Sequence, residues 1–221
     1  MAYTTADSQR QFDRWSCRYN RDLLQRFFFG PAHRMILNEL RPSDRRILDI
    51  GCGTGRLAAV ILRHFPAAQV WGLELSAGML GRCRELEEFE RGRLHLVRAD
   101  SEHIPFASDF FDVVTCTHCF HHFPHQEQVV AEMYRVLRPG GRLLIIDGDR
   151  DRLWGRFLFD VCVVLVEGSV RHLTSRAFRR LYEVSGFAAV SHRRRRGPLP
   201  FVLTRGRAVK PFARPAYRQS A

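Results

Sequence analysis

The residues best suited to hold a polar ligand in this chain are carboxylates and glycines at fixed intervals. Asp49 interrupts the apolar run Ile47–Ile50, and Gly51, Gly53 and Gly55 follow at every second position, with Thr54 between the last two. Glycine admits backbone angles closed to other residues and lets a ligand lie against the main chain. An apolar helical pattern through Val60, Ile61 and Leu62 comes next, so the turn also opens a helix N-terminus whose N–H groups meet polar ligand atoms. Glu74 lies 19 residues after Gly55, at the end of the run Val70–Leu75. A carboxylate there accepts both hydrogen bonds of a ribose diol; its bland alternative is a solvated loop acid. Asp100 and Ser101 follow a third apolar run, Leu94–Val97. His121 and His122 close the stretch T-C-T-H-C-F-H-H-F, and imidazole is the side chain suited to proton transfer near neutral pH.

The glycine spacing excludes one ligand class. A dinucleotide fingerprint needs a glycine where this chain has Arg56, since close helix–strand packing leaves no room for a long side chain. The D-x-G-x-G-x-G pattern instead resembles motif I of the class I S-adenosylmethionine-dependent methyltransferases. Three further segments carry the same resemblance: G-L-E-L-S-x-x-M-L from Gly72, R-A-D-S with I-P-F and F-F-D from Arg98, and E-M-Y-R-V-L-R-P-G-G-R-L from Glu132. The branch that they resemble is the type 11, quinone-methyltransferase-like one. The resemblance implies S-adenosylmethionine as cofactor, held by Asp49, Gly51, Gly53, Thr54, Gly55, Glu74, Leu75, Asp100, Ser101 and Thr117. Asp100 would accept from the adenine amino group, and the Ser101 N–H would meet a ring nitrogen. F-D-R-W-S-x-x-Y near the N-terminus resembles a cap segment whose aromatics, Tyr19 among them, help close the cofactor site. As plain sequence, the same aromatics read equally well as packing residues. His121 and His122 match the family's substrate-facing turn and are candidates for general base or for orienting the acceptor. The alternative is a histidine bonded to backbone.

Positioning these residues requires parallel strands that end at one edge. Strands are expected at Ile47–Ile50, Val70–Leu75, Leu94–Val97, Val113–Cys116 and Arg142–Asp147, with helices over 55–64, from Ser76 towards Phe89, and over Gln126–Leu137. A hairpin of Phe187–Arg194 and Leu199–Arg205 around Gly197-Pro198 follows a helix capped by Thr174. The fold expected is α/β: a Rossmann-like, seven-stranded, mostly parallel sheet with helices on both faces and a C-terminal antiparallel hairpin. Residues 1–44 are expected as a helical cap, with one helix ending at Gly30-Pro31 and a second over His33–Leu40. Residues 45–205 would form the main domain, with 148–173 a lid-like insertion containing a helix over Leu153–Val166. Residues 206–221 read as a basic, flexible tail.

Bulk composition narrows the classes. The 221 residues suit one domain. No uncharged apolar run reaches the length of a bilayer span, and the N-terminus lacks the apolar core of a signal peptide, which points to a cytoplasmic location. Six scattered cysteines read as reduced thiols. Cys116-x-x-Cys119 beside three histidines invites a zinc reading, but the second ligand pair of a finger is absent, so no metal is expected. The net charge is +12, and residues 151–221 carry 15 basic and 4 acidic residues. Such an excess attracts nucleic acid or anionic lipid. All but one of the basic residues are arginine, and no stacking aromatics interleave Arg193–Arg196.

The expectation is therefore a methyltransferase acting on a small or lipid-like acceptor. A nucleic-acid acceptor, tRNA for instance, is the alternative that the basic C-terminal third supports. A non-catalytic protein that binds cofactor or partner is the second.

Overall fold

Ile47, Leu48 and Ile50 are each completely buried. Successive residues of a strand face opposite sides, so the strand they form must be covered on both faces. A computed structural model describes residues 9, 10, 13, 23–84, 92–164, 170–195 and 200–210. It places that strand, β1 (Arg46–Ile50), near the middle of a seven-stranded sheet. The others are β2 (Gln69–Glu74), β3 (Leu94–Arg98), β4 (Phe111–Thr117), β5 (Leu137–Gly148), β6 (Phe187–Arg194) and β7 (Phe201–Ala208). Their order is β3-β2-β1-β4-β5-β7-β6, the first five parallel and β7 antiparallel to both of its neighbours.

The helices lie on the two faces that the alternation demands. On one face Ile47, Val70, Val113 and Ile146 pack with Ala32 and Ile36 of α1 (Leu23–Leu37) and with Leu57, Ala58 and Ile61 of α2 (Arg56–His64). On the other, Leu48, Ile50, Val114 and Ile145 meet Val129 and Met133 of α4 (Gln126–Val136) and Phe178 and Leu181 of α6 (Ser175–Val184). The short α3 (Ala77–Cys83) follows β2. Helix α5 (Leu153–Phe157) follows β5 and continues with wider, π-type turns over Leu158–Val163. Because Ile50 pairs with Leu73 and with Cys116, and Thr117 with Ile146, the carboxyl ends of β1, β2, β4 and β5 arrive at one edge.

Several boundaries differ from the sequence reading. α1 does not break at Gly30-Pro31. Proline costs a helix interior about 3 kcal/mol, but Ile36 and Ala32 are wholly buried on that helix, where the Ile36 side chain contributes about 1.5–3 kcal/mol and the Ala32 methyl about 0.8 kcal/mol. β5 begins before Pro139 rather than after Gly141: its register on β4 jumps from Phe111↔Leu137 to Val113↔Arg142. The extra residues bulge out at Gly140, whose φ is 76°. The chain beyond 205 is not all tail. Gly206, Arg207 and Ala208 complete β7, and a Cβ on Gly206 would come within 2.6 Å of the Tyr182 ring. Lys210 then donates to the carbonyls of Arg135 and Leu137 and pairs with Asp109. The helical continuation towards Phe89, the turn at Gly197-Pro198 and the segment 211–221 lie outside the described residues.

α6 begins as its sequence requires, with the Thr174 hydroxyl accepting from the Ala177 N–H at 3.2 Å. Thr174→Ala should lower unfolding stability by about 1 kcal/mol in urea titration, whereas Thr174→Ser should stay near wild type.

Candidate active site

The turn after β1 holds three left-handed glycines, Gly51, Gly53 and Gly55, at φ 65°, 55° and 76°. Gly51 and Cys52 both donate to the Leu73 carbonyl, which pins the turn to the end of β2. At Gly51 a second constraint acts, since a Cβ there would lie 2.4 Å from the Cys119 sulfur. Beneath the turn, Asp49 is 1% exposed and accepts a 2.8 Å hydrogen bond from the Thr115 hydroxyl. Burial, opposed by that hydrogen bond and reinforced by the nearby Glu74, pushes its carboxyl up to about 7.

Glu74 is buried at the end of β2 and is no solvated loop acid. One carboxylate oxygen accepts from the N–H groups of Leu75 and Ser76 at 2.9 Å, the other from Gly53 at 3.0 Å. A carboxylate has about four acceptor positions, so a ligand diol would share it with the backbone. Burial raises its pKa, and the three N–H groups work against the rise. Ser76 caps α3, and its hydroxyl also donates to Asp13. The N-terminal segment thus touches this edge of the sheet, as a cap would. Tyr19, expected to help close the site, lies outside the described residues.

A cleft runs along the edge, lined among others by Gly51, Gly53, Glu74, Leu75, Asp100, Ser101, Thr117 and His122. Asp100 does two things. Its side chain accepts from the Glu102 N–H at 3.0 Å, an ordinary loop cap, and it also lines the cleft. A second recess on the other side of the glycine turn is bounded by Asp49, Thr54, Arg56, Phe29 and His33, and it shares Gly51, Gly53 and Thr117 with the first. Burial, with Arg56 adding to it, lowers the His33 pKa to about 4, so this imidazole is neutral at pH 7. The two recesses adjoin at Gly51, Gly53 and Thr117 and are together called the trough; Asp100 lines the first part and Arg56 the second.

The histidine pair divides. His122 lines the trough, whereas His121 points to Asp147 at the end of β5, with Nδ1 2.7 Å from the carboxylate. The His172 ring stacks on His121 at 4.2 Å, with its Nε2 3.7 Å from the same oxygen. Burial alone would raise the Asp147 carboxyl, but the adjoining His121 and His172 outweigh it and hold it well below the usual range. The donor atoms of these three residues lie within 4.8 Å of one another, a two-histidine, one-carboxylate set of the kind that iron takes. The near-parallel stacking and the 2.7 Å bond are, however, the geometry of two imidazoles sharing one carboxylate. Cys116 and Cys119 form a thiol–thiol contact of 3.1 Å and belong to no converging set of three donors among the described residues. Their mutual hydrogen bond and burial keep the Cys119 thiol pKa well up, so it remains protonated.

The arginine run is largely engaged. Arg193 reaches Glu39, Arg194 pairs with Asp149 and Asp151, and Arg195 lies over the Phe201 ring.

Residues 48–145, which include the glycine turn, Glu74, Asp100 and the histidine turn, match the family model described as a methyltransferase domain. The matched segment, less than half of the chain, is similar to methyltransferase domains. The chain is 35% identical over 131 residues to demethylmenaquinone methyltransferase of Thermus thermophilus, covering 57% of this chain and 60% of that protein. It is 37% identical over 134 residues to the ubiquinone/menaquinone biosynthesis C-methyltransferase of Stutzerimonas stutzeri, covering 57% and 52%. It therefore spans little more than half the length of these relatives. A S-adenosylmethionine-dependent methyltransferase of Thermotoga maritima has the same fold, with a TM-score of 0.72 at 22% identity over 90% of this chain and 98% of that one.

Three parts of the site escape a sequence reading. Asp147 looks like the last polar residue of a strand, and His172 lies 51 positions from His121. His118 takes a left-handed conformation, φ 53°, and packs between Phe29 and Phe201. Only the order of the strands brings these residues together. The pH dependence of stability should report Asp49. An acid whose folded pKa is raised contributes stability below its unfolded value near 4 and loses it as the pH rises through about 7. Asp49→Asn keeps the acceptor for Thr115 but cannot ionise, so it should be more stable than wild type by about 2–4 kcal/mol at pH 8. The difference should shrink towards pH 4 in urea titrations.

Proposed function

We propose that this chain transfers the methyl group of S-adenosylmethionine to a small or lipid-like acceptor by in-line displacement. The observation that carries the reading is the trough, with acids spaced along it and a buried His121–Asp147 couple at the end of the adjoining strands. Asp100 and Ser101 would take the adenine, Glu74 the ribose diol, and the glycine turn with Thr54 and Thr117 the remainder of the cofactor. Two buried carboxylates with raised pKa values, Asp49 and Glu74, favour a cationic ligand, and the cofactor carries both a sulfonium and an ammonium. The sulfonium already activates the methyl group, so the protein supplies mainly proximity and alignment. The acceptor's electron pair forms the new bond to the methyl carbon while the carbon–sulfur bond breaks, leaving a neutral thioether.

An acceptor that must lose a proton needs a base. With Nδ1–H donating to Asp147, neutral His121 has Nε2 as its accepting nitrogen. His121 is proposed as that base, Asp147 as the residue that fixes its tautomer, and His122 as a wall of the trough. The likeness to quinone-biosynthesis methyltransferases supports a small or lipid-like acceptor. The engagement of Arg193 and Arg194 by acids leaves the nucleic-acid reading without its main support. Incubation of cell extract with methyl-labelled cofactor, followed by separation into lipid, small-molecule and RNA fractions, tests the proposal. Label in RNA, with none in the other fractions, would overturn it.

Glu74→Ala should weaken cofactor binding by about 1.5–3 kcal/mol, the range for lost charge-assisted hydrogen bonds. Calorimetry on the folded variant measures it, and unchanged affinity removes Glu74 from the ribose site. His121→Gln should leave cofactor affinity near wild type and slow turnover by about 10²–10⁴-fold if His121 is the base. Wild-type activity should then decline as the pH falls through the imidazole range, because only the neutral ring accepts a proton.

A further inference from the structure

Helix α5 and the turns that continue it bury one apolar face and expose another. On the inner side Gly155 lies so close to the strand end that a Cβ would approach the Asp149 carbonyl oxygen to 2.0 Å, and the buried Phe159 covers Gly148 and packs on His172 at 4.7 Å. Arg150 clamps the segment through a 2.7 Å ion pair with Asp160. The helix is therefore seated, and its outward face is not the result of loose packing. That outward face consists of Leu153, Trp154, Phe157 and Val161, which are 85%, 55%, 52% and 43% exposed. Positions 153, 157 and 161 recur every four residues along one side, and Trp154 stacks on Phe157 with ring centroids 5.8 Å apart. Exposed large apolar side chains gathered on one helix are uncommon and mark a contact surface.

We propose that this face of α5 docks on the surface of an anionic lipid bilayer. Charge decides between a bilayer and a second copy of the chain. The exposed Arg152 and Arg156 border the apolar stripe, and the C-terminal third carries the net excess of positive charge. A symmetric contact between two copies would set this arginine-bordered patch against itself. Anionic headgroups would neutralise the arginines while the apolar stripe enters the interfacial layer, the arrangement of an amphipathic helix lying in the membrane plane. An indole is suited to that depth because it has an apolar body and a polar N–H. No helix among the described residues is long and apolar enough to cross a membrane, so the attachment is peripheral. Since Phe159 on the inner face touches His172, docking would bring the end of β5 and its histidines close to the lipid. An acceptor dissolved in the bilayer would then have a short path to the trough.

Co-sedimentation with vesicles tests the proposal without any methyl acceptor, so its outcome is separate from the question of the substrate. The wild type should pellet with vesicles of phosphatidylcholine containing about one-third phosphatidylglycerol, more weakly with phosphatidylcholine alone, and less as salt is raised. Trp154→Ser with Phe157→Ser should reduce vesicle affinity by about tenfold or more. Arg152→Gln with Arg156→Gln should reduce it on anionic vesicles and flatten the salt dependence. Cofactor affinity, measured on the same samples, establishes that the variants are folded, and the single change Leu153→Ser serves if the double variant is not. Three results would overturn the proposal: no pelleting at low salt, pelleting that neither pair of substitutions alters, or a dimer in sedimentation velocity that Trp154→Ser with Phe157→Ser dissociates. The last would assign the face to a second copy.

Discussion

Three left-handed backbone positions within five residues set the terms for this structure. Each left-handed residue would cost an L-amino acid about 1–2 kcal/mol, and at Gly51 the Cys119 sulfur also occupies the space that a side chain would take. The turn must nevertheless form, because β1 ends in the middle of the sheet and the chain has to reverse onto α2 without leaving the packed layer. Asp49 below the turn and Glu74 beside it are buried by the same packing. Desolvation raises both pKa values, with Glu74 adding to the rise at Asp49 and Asp13 to that at Glu74, so acids stand in a trough that Ile50, Leu73 and Met79 also line.

The second polar centre has a different origin. Asp147 ends β5 and is held as an anion by the imidazoles on either side of it, against a burial penalty that would otherwise protonate it. A buried carboxylate of this kind is tolerated only with close, well-oriented partners. The partners come from the turn after β4 and from the segment before α6, and the stack of His172 on His121 fixes both rings. The trough and the histidine cluster are thus separate solutions to the burial of polar groups at one sheet edge. Their adjacency follows from β1, β4 and β5 being neighbours in the sheet.

Part of the positive charge of the C-terminal third is structural. Arg193, Arg194 and Arg205 reach acids on other segments, at Glu39, Asp149 and Asp151, and so tie β6 and β7 to the turn after α1 and to the loop after β5. Arg152 and Arg156, to which an outward role is proposed, stand beside the apolar stripe of α5. Counting arginines along the chain could not separate these two groups, since pairing depends on which segments meet.

The sequence by itself determined the strand and helix order, the left-handed turn and the carboxylate at the end of β2, because those depend on local properties. Glycine spacing, two- and four-residue apolar periodicity and a carboxylate at a strand end are legible wherever they occur. Helix ends were legible where a side chain caps them, as at Ser76 and Thr174. Only the tertiary structure decided the rest. It carried α1 through Pro31, because burial of Ala32 and Ile36 outweighs one lost hydrogen bond. It drew residues 206–208 into β7, because Gly206 fits under Tyr182. It separated His121 from His122 and joined the former to Asp147 and His172. Those outcomes turn on contacts between residues far apart in the chain, and the free energy of such contacts depends on which groups the folded sheet brings within reach.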